Sequence, residues 1–583
     1  MCRNKDQVLG MANTTVETKN EGPAGQPTQA WESPYIGSKK MPRWAVGELG
    51  SPPRFGWRQI PMLLGPGLVM GAAAVGGGEW LTGPLVTARY GGALLWLATL
   101  SILGQVIYNI EISRYTLYSG EPIFTGKFRT FPGPSFWPFL YLILDFGSFL
   151  PYLSSSAAIP ITGILFGKLP DPSIPEEDFR LRLVGCGIMI LTLLPLIFGG
   201  KVYRSLKFIM SAKLVLVLGF LLFLALGYST WSTWQEILSG FVRFGTMPFV
   251  PETPDGPPRL LNVPWAWWNG QTLPPLDLSM IGIVAAMAAI AGNGGLTNTP
   301  ISNFTRDQGW GMGKEVGAIP SIVGGHSITL SHVGKVFRLT PESLKKWYGW
   351  VRHVQREQLM VWMPACFFGM ALPSMLSVQF LPRGVVPKDK WLAAGMTADG
   401  VADAVGPTMG SLFWHLTLFC GFLVLATSAI MTTDGALRRW VDVYWTASPR
   451  LRTLDTHWIG KLYFGALCGY AVLGLILLMT VKGDNLLVYT TNLYNYALGF
   501  SCFHVLAVNS LLLPKELRPS LFRRAGLVLA GTFFMVIAVL TTVDTVNKAY
   551  AKPGIPAANE TPATGAVQSE TSPNELPGNI KPR

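Results

Sequence analysis

Three glycines and a carboxylate, Gly76-Gly77-Gly78-Glu79, interrupt an apolar run that extends from Gly65 to Gly92. Counted from Leu63 at 1.5 Å per helical residue, Gly76 falls about 20 Å into a hydrocarbon layer roughly 30 Å thick. A carboxylate at that depth is costly. Successive glycines weaken a helix where no water can pair the freed backbone groups, which is tolerated where that backbone faces protein, a cavity or an ion. A second cluster, Ala291-Gly292-Asn293-Gly294-Gly295 followed by Thr297-Asn298-Thr299-Pro300, interrupts a later apolar run. Counted from Met280, Gly292 lies about 18 Å in from the opposite side, so the two breaks meet near the midplane. The chemistry on offer is binding. Candidate substrate-binding residues are Gly76, Gly77, Gly78, Glu79, Gly292, Asn293, Gly294, Thr297 and Asn298, with Glu79 and Asn293 as candidate metal ligands. Glycines also permit close helix packing, but two clusters at matching places, each with a polar residue, favour a site.

With oxygen donors only, the set suits Mg2+, Ca2+ or Mn2+ better than copper or zinc. One carboxylate is meagre for a dehydrated divalent ion. The same residues equally serve a small polar or anionic solute held at the exposed amides, with Glu79 taking up a proton or Na+. A sensor or scaffold that does not transport is the third possibility. Other ionisable groups lie in apolar runs. Asp145, in LILDFGSFLP, and His415 are candidates for proton coupling together with Glu79. Glu111 and Arg114, three apart, are expected to form an ion pair. Asn492, Tyr494 and Asn495 are candidate cavity residues. The six cysteines show no CxxC pair, and no P-loop, nucleophile elbow or HExxH motif is present, so neither a thiolate metal centre, a resident cofactor nor an enzyme is expected.

The elements that must position these residues are membrane helices. At 49% hydrophobic and 14% charged, the 583 residues are too apolar for a soluble protein, and an all-α polytopic membrane protein is expected. Eleven apolar segments of spanning length are expected: about 60–88, 92–117, 136–166, 183–199, 205–228, 280–302, 355–379, 409–432, 460–481, 485–513 and 524–546. Basic residues alternate between loops, so the net charge of +13 points to an anionic inner leaflet and not to nucleic acid. The rule places the N-terminus in the cytoplasm and, with eleven spans, the C-terminus outside, in a bacterial inner membrane or a eukaryotic one. Residues 1–57 and 549–583 are expected to be disordered tails around a transmembrane domain at 58–548. The loop at 229–279, with Trp265, Trp267 and Trp268, is expected to be an interfacial aromatic cap, and Ala318 to Phe337 a hairpin lid or a packed loop. Two five-helix units of opposite orientation, about 58–228 and 280–513, each open on a broken helix, and 524–546 is left over.

Gly65-Pro66-Gly67, leading through an apolar turn to the first break and then to Tyr90-Gly91-Gly92-Ala93-Leu94-Leu95-Trp96, resembles the first two helices of the Nramp family of divalent-metal transporters. The resemblance implies a LeuT-type fold of 5+5 inverted repeats plus one helix, alternating access, and uptake of a divalent cation with protons. It also implies a proton-relay carboxylate in the third span, where Asp145 stands. The family's first break has Asp-Pro-Gly-Asn; here Gly76, Gly77, Gly78 and Glu79 occupy those places. Its sixth helix has Met-Pro-His; here Gly292-Asn293-Gly294-Gly295 stands there.

Overall fold

The computed structural model describes residues 40–54, 56, 65–198, 202–252, 258–317, 333–384, 390–454 and 457–550. In hydrocarbon every backbone polar group must be paired within its own segment, so the apolar runs become helices. The principal ones are α1 (Pro66–Ala74), α2 (Gly83–Tyr90), α3 (Leu95–Ser119), α4 (Ile123–Arg129), α5 (Trp137–Leu144), α6 (Tyr152–Phe166), α7 (Pro175–Phe198) and α8 (Val202–Tyr228). After the long loop follow α9 (Ile281–Ile290), α10 (Pro300–Asp307), α11 (Pro341–Glu357), α12 (Met363–Phe380), α13 (Gly410–Ala447), α14 (His457–Thr480), α15 (Gly483–Leu511) and α16 (Leu521–Tyr550).

Among the described residues, eight helical stretches are long and apolar enough to cross a membrane, and one of them, Pro66–Ser119, carries the first two expected segments. Two other expected segments lie outside those eight. That at 280–302 is divided between α9 and α10. That at 485–513 forms the continuous α15, whose asparagines and threonines lower its hydropathy. The distribution of polarity is that of a membrane protein: Phe208, Val215, Leu226 and Leu529 are 69–76% exposed, while Glu79, Gln105, Asp145, Lys213 and Arg439 are at most 2% exposed. The chain is an all-α polytopic membrane protein.

The expectation of a disordered arm over residues 1–57 needs correction for its last part. Trp44 is buried against Tyr115 and Tyr118, its indole donates to Glu121 at 3.1 Å, and Arg129 lies over its ring. Strand β1 (Ala45–Gly47) pairs in parallel with a strand at Lys335–Phe337, Val46 opposite Val336. One aromatic residue gives this polar arm a packing partner, a signal that composition averages away. Burial pushes the Glu121 carboxyl up, but the Arg129 guanidinium and the Tyr115 hydroxyl outweigh it and hold it below the usual carboxylate range. Residues 1–39 and 551–583 of the tails, and 318–332 of the expected lid, lie outside the described residues. In the loop at 229–279 a short antiparallel ladder pairs Thr246–Phe249 with Arg259–Asn262, and Trp265, Trp267 and Trp268 are 62–82% exposed, as an interfacial cap requires.

Candidate functional site

Both breaks form. Helix α1 stops at Ala74, Val75 leaves helical geometry at ψ 83°, and the chain re-enters through a π-helical turn, Gly78–Thr82, before α2 starts at Gly83 with Pro84 in its first turn. Helix α9 stops at Ile290, and residues 291–299 run without regular helix, with positive φ at Gly292 (93°) and Gly295 (60°) that favours glycine. Glu79 joins the two. One carboxylate oxygen accepts the Gly76 N–H at 3.0 Å within its own break; the other accepts the Gly292 N–H at 2.8 Å from the second. The carboxylate is fully buried.

Gln105, on α3, holds the second break from the other side. Its side-chain oxygen accepts the Asn293 N–H at 2.9 Å and the Asn298 amide at 2.8 Å, while its nitrogen donates to the Ala291 carbonyl at 2.7 Å. Ser101, one turn earlier, donates to the Ala288 carbonyl at 2.7 Å. Asn298 also donates to the Asn293 carbonyl at 2.9 Å, and Asn293 donates to the Met70 carbonyl of α1 at 3.1 Å. Sequence inspection passed over Gln105; its signal was a Ser101/Gln105 polar pair at i, i+4 on an otherwise apolar span.

The breaks touch at Gly78, where an added Cβ would collide with the Ile290 carbonyl. Backbone cannot yield as a side-chain tip can, so Gly78→Ala is expected to destabilise by about 3 kcal/mol, the upper end of overpacking costs. The thermal midpoint in detergent would be read against Gly187→Ala, where a Cβ meets open space; equal midpoints would refute the close approach.

Between the breaks lies a cavity of about 30 Å3, room for one or two waters. Of the candidate residues, Gly76, Gly77, Gly78, Gly292, Asn293, Gly294 and Thr297 line it, joined by Ser428 and Thr432 of α13, Tyr152 of α6 and Tyr494 of α15. Glu79 and Asn298 stand behind the wall, each engaged with backbone. Ala73, Ala74 and Ile290 bring the C-terminal ends of α1 and α9 to the cavity, so two partial negative charges converge on it. Among the described residues no group of three or more His, Cys, Asp or Glu is placed to hold a metal ion.

No protein-family model matches the chain, and no curated protein sequence matches it. Solved structures do. A manganese transporter of Eremococcus coleocola, crystallised with an aromatic bis-isothiourea compound, is similar with a TM-score of 0.56 at 13% identity, over 87% of this chain and 91% of that one. A glutamate-to-glutamine mutant of the same transporter gives 0.55 at 13% identity, over 87% and 92%. The chain has the LeuT-type fold.

Within the LeuT-type frame the remaining candidates separate. Asp145 ends α5 and forms a two-pronged ion pair with Arg439 of α13, the Arg439 Nε at 2.8 Å. It also accepts the Trp440 indole N–H and the Ser148 hydroxyl, each at 2.7 Å, and Arg439 reaches the Leu296 carbonyl beside the second break at 3.4 Å. The structure does not bring His415 to the site: it is exposed on α13, its ring against the Ser411 carbonyl of its own helix and beside Trp414. A position at spanning depth does not fix which face of the helix a residue takes. Glu111 and Arg114 pair at 2.8 Å, as their spacing predicts. Tyr494 lines the cavity, Asn495 donates to the Ala285 carbonyl of α9 at 3.3 Å, and Asn492 instead faces Thr542 of α16.

Proposed function

We propose that this chain is a secondary transporter, related to the Nramp family, that moves a small polar solute by alternating access about the two breaks, with its N-terminus in the cytoplasm. The observation that carries the proposal is the small, partly open cavity between two interrupted helices, walled by glycine backbone and hydroxyls, with the two breaks tied together by one carboxylate. Helices broken at corresponding places in two repeats are the usual site of solute binding in such folds. Because the Gly76 and Gly292 amides are taken up by Glu79, the wall offers mainly carbonyl and hydroxyl oxygens. A solute with hydrogen-bond donors fits these better than an anion.

A hard divalent cation is the second reading. It is favoured by the small volume, the oxygen-rich wall and the likeness to the manganese transporter of Eremococcus coleocola. Against it stand the engagement of both Glu79 oxygens by backbone and the buried ammonium of Lys213, which donates to Ser428 of the cavity wall at 2.8 Å. The test is uptake into proteoliposomes of labelled small amides, amines and amino acids, run beside Mg2+ and Mn2+ fluxes. Saturable uptake of an organic solute without Mn2+ or Mg2+ flux is expected. Saturable flux of either ion would replace the solute by the cation, and no flux of any species would remove the transport proposal.

A further inference from the structure

A groove of about 470 Å3 lies on the outer surface between α5, α13 and α14, far from the cavity at the breaks. Its wall is almost wholly apolar, with Leu142 from α5, Leu437 and Val441 from α13, and Leu462 and Leu473 from α14. At Gly469, midway along it, an added Cβ would meet open space. From Leu462 to Leu473 the groove follows α14 for about 16 Å at 1.5 Å per residue, the depth of one hydrocarbon leaflet, about half of 30 Å. One end carries charge. Arg450 and Lys461, each next in sequence to a wall residue, are exposed and form no ion pair among the described residues. The Lys461 ammonium lies 4.2 Å from the centre of the exposed Trp458 ring, and such a pair belongs at headgroup level. Arg452 donates to the Lys40 carbonyl at 3.2 Å, which puts this mouth on the same face as the N-terminal arm.

The dimensions select the occupant. The volume spread over that length gives a channel about 6 Å wide, too narrow for a helix of about 10 Å and wide enough for one hydrocarbon chain. Two unpaired cations at the mouth complement an anionic headgroup, since basic side chains near the membrane surface attract anionic lipid. We infer that this groove binds an anionic phospholipid of the leaflet on the arm's side, one acyl chain along α14 and its phosphate at Arg450 and Lys461. The lipid would also act on the protein. Trp440 lines the groove, donates its indole N–H to Asp145 at 2.7 Å and stacks on Tyr444 with ring centres 5.6 Å apart. A chain packed against Trp440 holds the indole in its bonding position and keeps water from the Asp145–Arg439 pair, so the bound lipid stabilises the contact between α5 and α13. This is an account of lipid binding and does not rest on the transport reading.

The delipidated full chain in detergent would be mixed with dioleoylphosphatidylglycerol or dioleoylphosphatidylcholine, and bound lipid counted by native mass spectrometry. The wild type is expected to retain phosphatidylglycerol at least about fivefold better than phosphatidylcholine and to melt about 2–4 °C higher with it. Arg450→Gln/Lys461→Gln is expected to bring the two lipids within about twofold of each other. Gly469→Phe, which fills the groove, is expected to lose the bound lipid, while Gly187→Phe, exposed on α7 where a Cβ also meets open space, keeps the wild-type preference. Equal retention of both lipids by the wild type would overturn the inference, and so would an undiminished preference in the double charge variant. Phosphatidylglycerol retained in full by Gly469→Phe would place the lipid elsewhere and overturn it too. A dimer of the wild type that Gly469→Phe abolishes would put a second copy of the chain in the groove instead. Should Gly469→Phe fail to fold, the double charge variant decides, because both of its positions are exposed.

Discussion

Asp145→Ala is expected to lower the stability of the detergent-purified protein by about 3–5 kcal/mol, the cost of leaving a buried charge without its partner. Arg439 would keep the Leu296 carbonyl and the Ser148 hydroxyl but lose a two-pronged carboxylate inside a span from which water is excluded. The effect extends beyond one contact. Arg439 joins α5, α13 and the second break, so its release loosens the backbone that walls the cavity. The decisive comparison is with the double variant Asp145→Ala/Arg439→Met, which removes both charges and is expected to recover more than half of the lost midpoint. A double variant no more stable than the single one would show that the pair is not what the α5–α13 contact depends on. The resemblance implied a proton-relay role for this residue. In the structure its two oxygens take four donors, so it serves as the anchor of Arg439 that joins α5 to α13.

On the transport reading proposed above, Glu79→Gln is expected to reduce uptake about tenfold or more, and in either case to destabilise by about 1–3 kcal/mol, the cost of a buried donor without an acceptor. The carboxylate accepts one backbone N–H from each break; the amide presents one oxygen and one NH2, so whichever way it turns, one glycine N–H faces another donor. Lys213 also loses the carboxylate that acts on its charge. The measurement that separates a tie between helices from a ligand is the midpoint with no solute or metal added. A tie predicts a lower midpoint in every medium. A ligand predicts an unchanged basal midpoint and loss only of the rise produced by the bound species. An unchanged basal midpoint would therefore return Glu79 to the wall of the site.

The residues that break the helices were legible because their consequences are local. Three successive glycines at 76–78 weaken a helix through backbone entropy, Gly292 and Gly295 adopt the positive φ that favours glycine, and a helix interrupted at such a place is a property of a few neighbouring residues. The Glu111–Arg114 pair was legible for the same reason, since three residues on a helix set its geometry. The depth count that brought the two breaks together needed only the rise of a helix and the thickness of a bilayer, and the structure shows them in contact.

What depends on contacts distant in sequence was not legible. Glu79 has Gly292 as its partner 213 residues away, Asp145 has Arg439 at a separation of 294, and Lys213 has Ser428 at 215. Gln105 passed unnoticed beside residues whose type looked more reactive, and His415 drew notice for its type although it faces outward. By itself, the sequence determined that apolar runs become membrane helices and where two of them fail, because hydrophobicity and backbone freedom belong to single residues. Tertiary structure alone decided that the carboxylate ties the breaks together, that Asp145 is held by an arginine, and that a lysine meets Ser428 of the cavity wall. Whether a buried charge acts as a ligand, a tie or a partner is set by the groups that replace its water, and those come from other helices.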